Sequence, residues 1–375
     1  MTIAADQFFK KLASHLKNEL PFVVYRKPDD RNINGLLQHN DDLFFVEDYT
    51  ESGFAFAPFQ ADKKAILIPQ NTSETIQCLV ETYENGVSAF ISEIEDDKAK
   101  ESHIKLVEKA ITAIENSETK KVVVSRKKEI GIEKFDMLSV FKKLVTKYPQ
   151  AFCYVWYHPK GGMWIGATPE TLLQVKNNQF QTMALASTQS YQGSMNVLWG
   201  EKERQEQQFV TDYIVGNIQS LVKNISVSDV ETVRAGSLLH LKTKITGNLI
   251  RHSNLEQVLY TLHPTPAVCG LPKEKARAFI LENENYRREF YTGFLGELNL
   301  KEIRKRNPNR RNVENNAYVS VKTVSRLYVN LRCMQYRNKK LELYVGGGIT
   351  KDSDAEQEWQ ETVDKTRTML DVLKG

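Results

Sequence analysis

The sequence predicts an α+β fold with mostly antiparallel sheets. Three observations carry this: strand candidates come grouped in hairpins, amphipathic helices stand between the groups, and no regular βαβ alternation is present. Ala4 to Leu20 opens the chain as a helix, with Phe8, Leu12, His15 and Leu16 at helical spacing and Pro21 as its stop. Asp42 to Gln60 and Lys64 to Pro69 read as short strands, with a turn at Glu51-Ser52-Gly53. Asp97 to Ser117 returns to the helical period through Ile104, Leu106, Val107, Ala110 and Ile114. Strands follow at Lys121 to Arg126, Phe152 to Tyr157 and Met163 to Ala167, then a hairpin from Thr171 to Ala186 turning at Asn177-Asn178. Glu201 to Val222, Asn254 to Leu262 and Pro272 to Asn283 read as helices. Arg326 to Gln335 with Leu341 to Gly346 is expected as another hairpin, and Asp354 to Leu373 as the closing helix. No internal repeat and no Pro/Gly/Ser-rich linker interrupts the chain, so residues 1–375 are expected to form a single domain.

A chain of 375 residues is long enough to bury a large core. Its 41% hydrophobic and 26% charged residues exclude extended disorder, collagen and coiled-coil arrays. The 51 basic and 47 acidic residues leave a net charge of +4, too balanced to argue for a polyanion, so no nucleic acid partner is expected. Cys78, Cys153, Cys269 and Cys333 show no C-x-x-C spacing, which argues against a disulfide framework or a thiolate zinc site and fits a reducing compartment. Met1 to Lys11 lacks the apolar region of a signal peptide, and no window approaches the ~18 apolar residues of a membrane span. A cytoplasmic location without a membrane partner is the expectation.

Two acidic helices stand out. Glu203 and Glu206 are three apart and share a face that continues into Val210 and Tyr213. Glu358, Glu361 and Lys365 form a second such stripe, running on to Met369 beside the apolar Trp359, Val363, Thr366 and Leu370. Facing each other, the two helices could present oxygen ligands to a hard cation such as Mg²⁺; ion pairs on solvated helix faces give the same spacing. Strand alternation puts Lys121, Val123 and Ser125 on one face, and if that face is the core, the partly desolvated amine can serve as a general base; a strand-capping lysine is the plainer alternative. Gly166-Ala167-Thr168-Pro169-Glu170 ends a strand in a turn, where Glu170 is placed to act as the acid to that base.

Eight motifs then occur in a recognisable order: Lys121 to Arg126, Gly166 to Glu170, Ala184 to Thr188, Lys202 to Glu206, Leu239 to Gly247, Leu262 to Gly270, Gly346 to Ile349 and Glu358 to Lys365. By these the chain resembles the isochorismate synthases of the chorismate-utilising enzymes, over Lys121 to Met369. The resemblance implies a large α+β domain, anthranilate synthase component I-like, of two mostly antiparallel sheets packed between helical layers, with the site in a cleft; residues 1–116 are its less recognisable part. It implies chorismate as substrate and an isomerase reaction in which water adds at C2 while the C4 hydroxyl leaves. Lys121 would activate the water and Glu170 would protonate the leaving hydroxyl. Glu206 and Glu361 would bind Mg²⁺ with Glu203 and Glu358 as their pair members, neutralising a substrate carboxylate. Arg332 and Lys365 match the positions that hold the pyruvyl carboxylate, with backbone N–H groups at Gly346 close by. His263 would lie beside the substrate ring, and Ser187 with Thr188 matches a substrate-contacting pair.

The chain departs from the family pattern in four places. Ser187 replaces the usual glycine, Gln207 a histidine, Glu203 an aspartate and Gly347 an alanine. Lysine at 121 disfavours the ammonia-using relatives, which usually carry glutamine there, as does Ala186, where aminodeoxychorismate synthases place a lysine nucleophile. Salicylate synthase, which goes on to eliminate pyruvate, is the nearest alternative, and a non-catalytic chorismate-family binding protein the other. Isochorismate feeds menaquinone, catechol siderophores and salicylate alike. A monomer or weak homodimer is expected. Lys301 to Asn315, with Arg304, Lys305, Arg306, Arg310 and Arg311, reads as an inserted, solvated basic loop.

Overall fold

Strands buried on both faces dominate the centre of the molecule. In Phe22–Arg26 every residue is buried: Phe22 and Val24 join a core shared with helices, while Val23 and Tyr25 join a core between two sheets. Such a strand carries no period-two polarity, so alternation does not reveal it.

The computed structural model describes residues 2–81, 83, 89–92, 97–236, 238–304 and 320–374. Helix α1 (Ala5–Lys17) leads into β1 (Phe22–Arg26) and β2 (Asn32–Gln38) of the first sheet. The chain then supplies β3 (Phe44–Phe45), β4 (Gly53–Ala57) and β5 (Ile66–Pro69) to the second sheet, and returns with β6 (Ser73–Leu79) and β7 (Ala89–Ser92). Helix α2 (Asp97–Glu115) precedes β8 (Lys121–Phe135), and α3 (Met137–Lys147) precedes β9 (Phe152–His158) and β10 (Gly162–Thr168), all three strands in the first sheet. A crossing gives β11 (Thr171–Lys176) and β12 (Gln179–Ser190) to the second sheet; after α4 (Glu201–Ile218) it gains β13 (Val222–Val227), β14 (Glu231–Ala235) and β15 (Leu238–Leu249). Helix α5 (Leu255–Leu262), β16 (Gly270–Leu271) at the edge of the first sheet and α6 (Lys273–Asn283) come next. Then β17 (Phe294–Arg304) and β18 (Ser320–Val329) complete the second sheet, β19 (Cys333–Arg337) and β20 (Lys340–Ile349) rejoin the first, and α7 (Ala355–Leu373) closes the chain.

The sheets run β16-β8-β20-β19-β10-β9-β1-β2-β6 and β13-β15-β12-β11-β18-β17-β4-β5-β3, with β7 on β8 and β14 on β15. Each described strand pair is antiparallel, as expected. Between the sheets lies an aromatic core in which Phe152 stacks on Tyr328 with ring centroids 4.2 Å apart and Phe56 meets Trp156 at 4.8 Å. Outside the first sheet, Phe8, Leu12, Phe141, Leu144, Met369 and Leu373 dock α1, α3 and α7; outside the second, Val210, Ile214, Val258 and Leu259 dock α4 and α5. Burying each such side chain contributes about 1.5–3 kcal/mol.

The structure corrects several element assignments. Arg326 to Gln335 is not one arm of a hairpin: its first residues end β18 in the second sheet and its last begin β19 in the first. The hairpin is β19 with β20, in register Arg337↔Lys340. The Asp42 to Gln60 segment holds only the short β3 and β4, and α4 ends at Ile218 rather than Val222. Helix α3 and strands β1, β2, β6, β7, β13, β14, β15, β16 and β17 are additions. The residues 305–315 of the basic segment lie outside the described residues. The four cysteines are buried and free. Among the described residues no helix is long and apolar enough to cross a membrane.

Candidate active site

Two crossings between the sheets build the floor of a cavity. At the first, Pro169 and Glu170 link β10 to β11; at the second, Asn330 to Arg332 link β18 to β19. The crossings are laced together: the Glu170 carbonyl accepts from the Val329 N–H at 3.0 Å, and the Arg332 carbonyl accepts from the Ala167 N–H at 3.0 Å. Arg332 has φ 48°, a left-handed conformation uncommon outside glycine, asparagine and aspartate, where the chain changes sheet. The walls come from β8 and β20 of the first sheet, β12 and β15 of the second, and helices α4 and α7, around about 210 Å³.

Eleven of the twelve residues singled out from the sequence line this cavity: Lys121, Glu170, Ser187, Thr188, Glu203, Glu206, Arg332, Gly346, Glu358, Glu361 and Lys365. His263 does not. It is buried at the end of α5, its Nε2 is 3.2 Å from the Thr292 carbonyl, and its ring meets Phe294 edge-on at 5.1 Å. Burial drives its pKa down to about 4, so it stays neutral and the contact with Thr292 makes Nε2 the protonated nitrogen. Here it supports the wall from behind through Thr292, which does line the cavity.

Lys121 begins β8 with its side chain buried, and its Nζ donates to Glu206 Oε1 at 2.6 Å. The glycines of β20 allow this: a Cβ on Gly348 would sit 2.6 Å from Lys121 Cε. A Cβ on Gly346 would meet the Val124 carbonyl at 2.7 Å and Ser125 Cβ at 2.9 Å, so close packing of β20 on β8 alone requires glycine there. Glu170 is almost fully enclosed, and burial raises its pKa to about 8 against the opposing influence of Lys121. It is therefore a carboxylic acid at neutral pH, able to donate a proton into the cavity.

The two carboxylate pairs face the same space from α4 and α7. Burial alone would raise the Glu206 carboxyl, but Lys121 and the hydrogen bonds from Lys121 and Ser187 outweigh it and hold Glu206 below its ordinary value. Lys365 reaches Glu361 at 2.5 Å and the Gly346 carbonyl at 2.9 Å. Glu358 accepts from Ser353 through Oε1 at 2.8 Å, while its buried Oε2 has no hydrogen-bond partner among the described residues; burial first, then Glu361, pushes its pKa to about 7. Among the described residues no three His, Cys, Asp or Glu side chains already converge as a metal cluster. The donor chemistry fits a hard cation all the same: four oxygen ligands on one cavity, one buried carboxylate oxygen unpartnered, and two carboxylates held by ammonium groups.

Residue His240, on β15, carries a role that composition and spacing do not reveal. Its Nδ1 lies 2.9 Å from the Ser187 carbonyl and its Nε2 3.3 Å from Arg332 Nη2. Burial, reinforced by Arg332, lowers its pKa to about 3. A neutral ring that donates from Nδ1 must accept at Nε2, so His240 orients the Arg332 fork. Arg332 also donates to Thr368 Oγ1 at 3.1 Å and has no carboxylate partner among the described residues, leaving a buried guanidinium facing the cavity. The only sequence signal for His240 was its place in the Leu239 to Gly247 motif.

Sequence comparison assigns the chain to a family. Residues 57–303 match the family of chorismate binding enzymes, and residues 316–371 match a second chorismate binding enzyme profile. The chain belongs to the chorismate-binding enzymes. It is 28% identical over 283 residues to isochorismate synthase MenF of Escherichia coli (strain K12), a match covering 72% of this chain and 59% of that relative. The solved structure of MenF, the menaquinone-specific isochorismate synthase from Escherichia coli, superposes with a TM-score of 0.76 at 20% identity, covering 94% of this chain and 89% of that one. Anthranilate synthase component I from Streptococcus pneumoniae TIGR4 shares the fold with a TM-score of 0.64 at 18% identity, covering 93% and 89%. These likenesses bear out the α+β fold of two antiparallel sheets between helical layers.

Proposed function

We propose that this chorismate-binding enzyme is an isochorismate synthase, an isomerase that adds water at C2 of chorismate as the C4 hydroxyl departs. One observation carries the reading: a buried lysine and a buried, protonated glutamic acid line one cavity from different segments of the fold. Lys121 acts in its free-amine form, taking a proton from the incoming water, and Glu206 beside it balances the ammonium so formed, the state in which Lys121 pairs with Glu206 here. Glu170 gives its proton to the C4 hydroxyl, which leaves as water. One water enters and one departs, so the net change is an isomerisation. Arg332, steadied by His240 and Thr368, supplies a fork for a substrate carboxylate.

Glu206 and Glu361, with Glu203 and Glu358, would hold Mg²⁺. The ion would supply charge neutralisation and orientation of a substrate carboxylate. The relative's name, isochorismate synthase, supports the same reaction. The test is incubation of the protein with chorismate, with and without Mg²⁺, followed by chromatography with mass detection. Isochorismate formed only with Mg²⁺ is the expected result. Salicylate with pyruvate would replace the proposal by a salicylate synthase, and bound but unconverted chorismate would make the chain a binding protein.

A further inference from the structure

The Glu206 carboxylate is gripped at both oxygens. Lys121 Nζ holds Oε1 at 2.6 Å, and the Ser187 hydroxyl lies 2.8 Å from Oε2. That hydroxyl has one proton and a second acceptor in reach, the Glu203 carbonyl at 2.9 Å. The charged oxygen is the stronger acceptor, so the proton points to Glu206. Ser187 sits at φ 59°, where the register of β12 against β15 shifts between Ala186 and Gln189. This left-handed conformation suits glycine, and a serine adopts it only against steric resistance. The bulge turns the Ser187 side chain toward α4 while its carbonyl, on the other arm, receives the Nδ1–H of His240.

We propose that Ser187 is a positioning residue for Mg²⁺, its hydroxyl fixing the Glu206 carboxylate as the second partner of a metal ligand. The proposal rests on the metal reading above and adds a residue that touches neither ion nor substrate in this role. A carboxylate left with only Lys121 rotates about its terminal torsion, and a metal must then order it at the moment of binding. Partners of this kind are worth about 10–100-fold in metal affinity. Residue 187 also couples two arms of the site, since the same bulge holds His240 and through it Arg332.

The experiment is calorimetric titration of Mg²⁺ alone into the purified full chain and into Ser187→Gly and Ser187→Ala. Glycine removes the hydroxyl and relieves the backbone; alanine removes the hydroxyl and keeps the Cβ. Both are expected to bind Mg²⁺ about tenfold or more weakly, with Ser187→Gly melting no lower than the parent. The weaker binding in both variants with an unchanged melting temperature separates positioning from a merely structural role. Mg²⁺ affinity equal to the parent's in both variants would overturn the role of Ser187 while leaving the metal reading intact. Failure of the parent chain itself to bind Mg²⁺ would overturn both.

Discussion

The pKa of about 8 at Glu170 has two separable consequences. A general acid must be protonated, so kcat should hold through neutrality and fall as pH rises through about 8. Glu170→Gln should lower kcat by ~10²–10⁴-fold and abolish that descending limb. Stability falls over a lower pH window. The folded-state pKa lies above the ordinary carboxyl value, so the associated stability is complete below that value and is lost as pH rises toward about 8. The melting temperature of Glu170→Gln, relative to the parent, should therefore climb over that window and level off above it. At Lys121 the expectation concerns turnover. Lys121→Ala should lose ~10²–10⁴-fold in kcat at saturating Mg²⁺ and chorismate, both of which should still bind because Glu206, Glu361 and Arg332 remain. Turnover at the parent's rate would remove lysine from the base role.

Helices α4 and α7 show how an element delivers a function without being part of it. Each carries its carboxylates near the N-terminal end and its anchoring hydrophobes near the C-terminal end: Glu203 and Glu206 before Val210 and Ile214, Glu358 and Glu361 before Met369 and Leu373. The last turns of α7 dock on α3 and the first sheet, so they set where Glu361 and Lys365 stand. Leu373 is fully buried. Leu373→Ala should cost about 2–5 kcal/mol in urea unfolding, with kcat per folded molecule little changed. A large drop in kcat at full folding would show that docking of α7 is coupled to the chemistry. The glycines of β20 work at the same scale, since their missing Cβ atoms let Lys121 lie across the strand and β8 pack closely.

At the scale of the whole molecule, the aromatic core between the sheets couples the halves that form the cavity. Tyr25, Phe152, Trp156 and Trp164 from the first sheet meet Phe54, Phe56 and Tyr328 from the second. Glu297 of β17 reinforces the join, accepting from Tyr25 at 2.8 Å and Lys27 at 3.1 Å. If residues 1–375 act as one domain, tryptophan fluorescence and far-ultraviolet circular dichroism should report the same urea transition. Phe152→Ala should shift both together, by about 3–5 kcal/mol. Two separated transitions would mean that the sheets unfold independently.

Local signals in the sequence marked most of the residues that line the cavity and several elements. Helical spacing marked α1, α2, α4 and α7, the Asn177-Asn178 turn marked the β11–β12 hairpin, and ordered motifs marked ten residues of the cavity, with Arg332 matched outside them, because each of these is written in neighbouring positions. What lay beyond local reading follows from burial on two faces and from crossings. Strand β1 is apolar throughout because both of its faces are covered, so it has no period to detect. The break at Asn330 to Arg332 is marked in the sequence by a single asparagine, with no Gly or Pro, among strand-forming residues, and only the sheets decide which of them the chain joins next. For the same reason the tertiary structure alone settled His240 against His263. Both are histidines in apolar company, and what separates them is which side of a wall each ring reaches, a matter of distances between strands far apart in the chain.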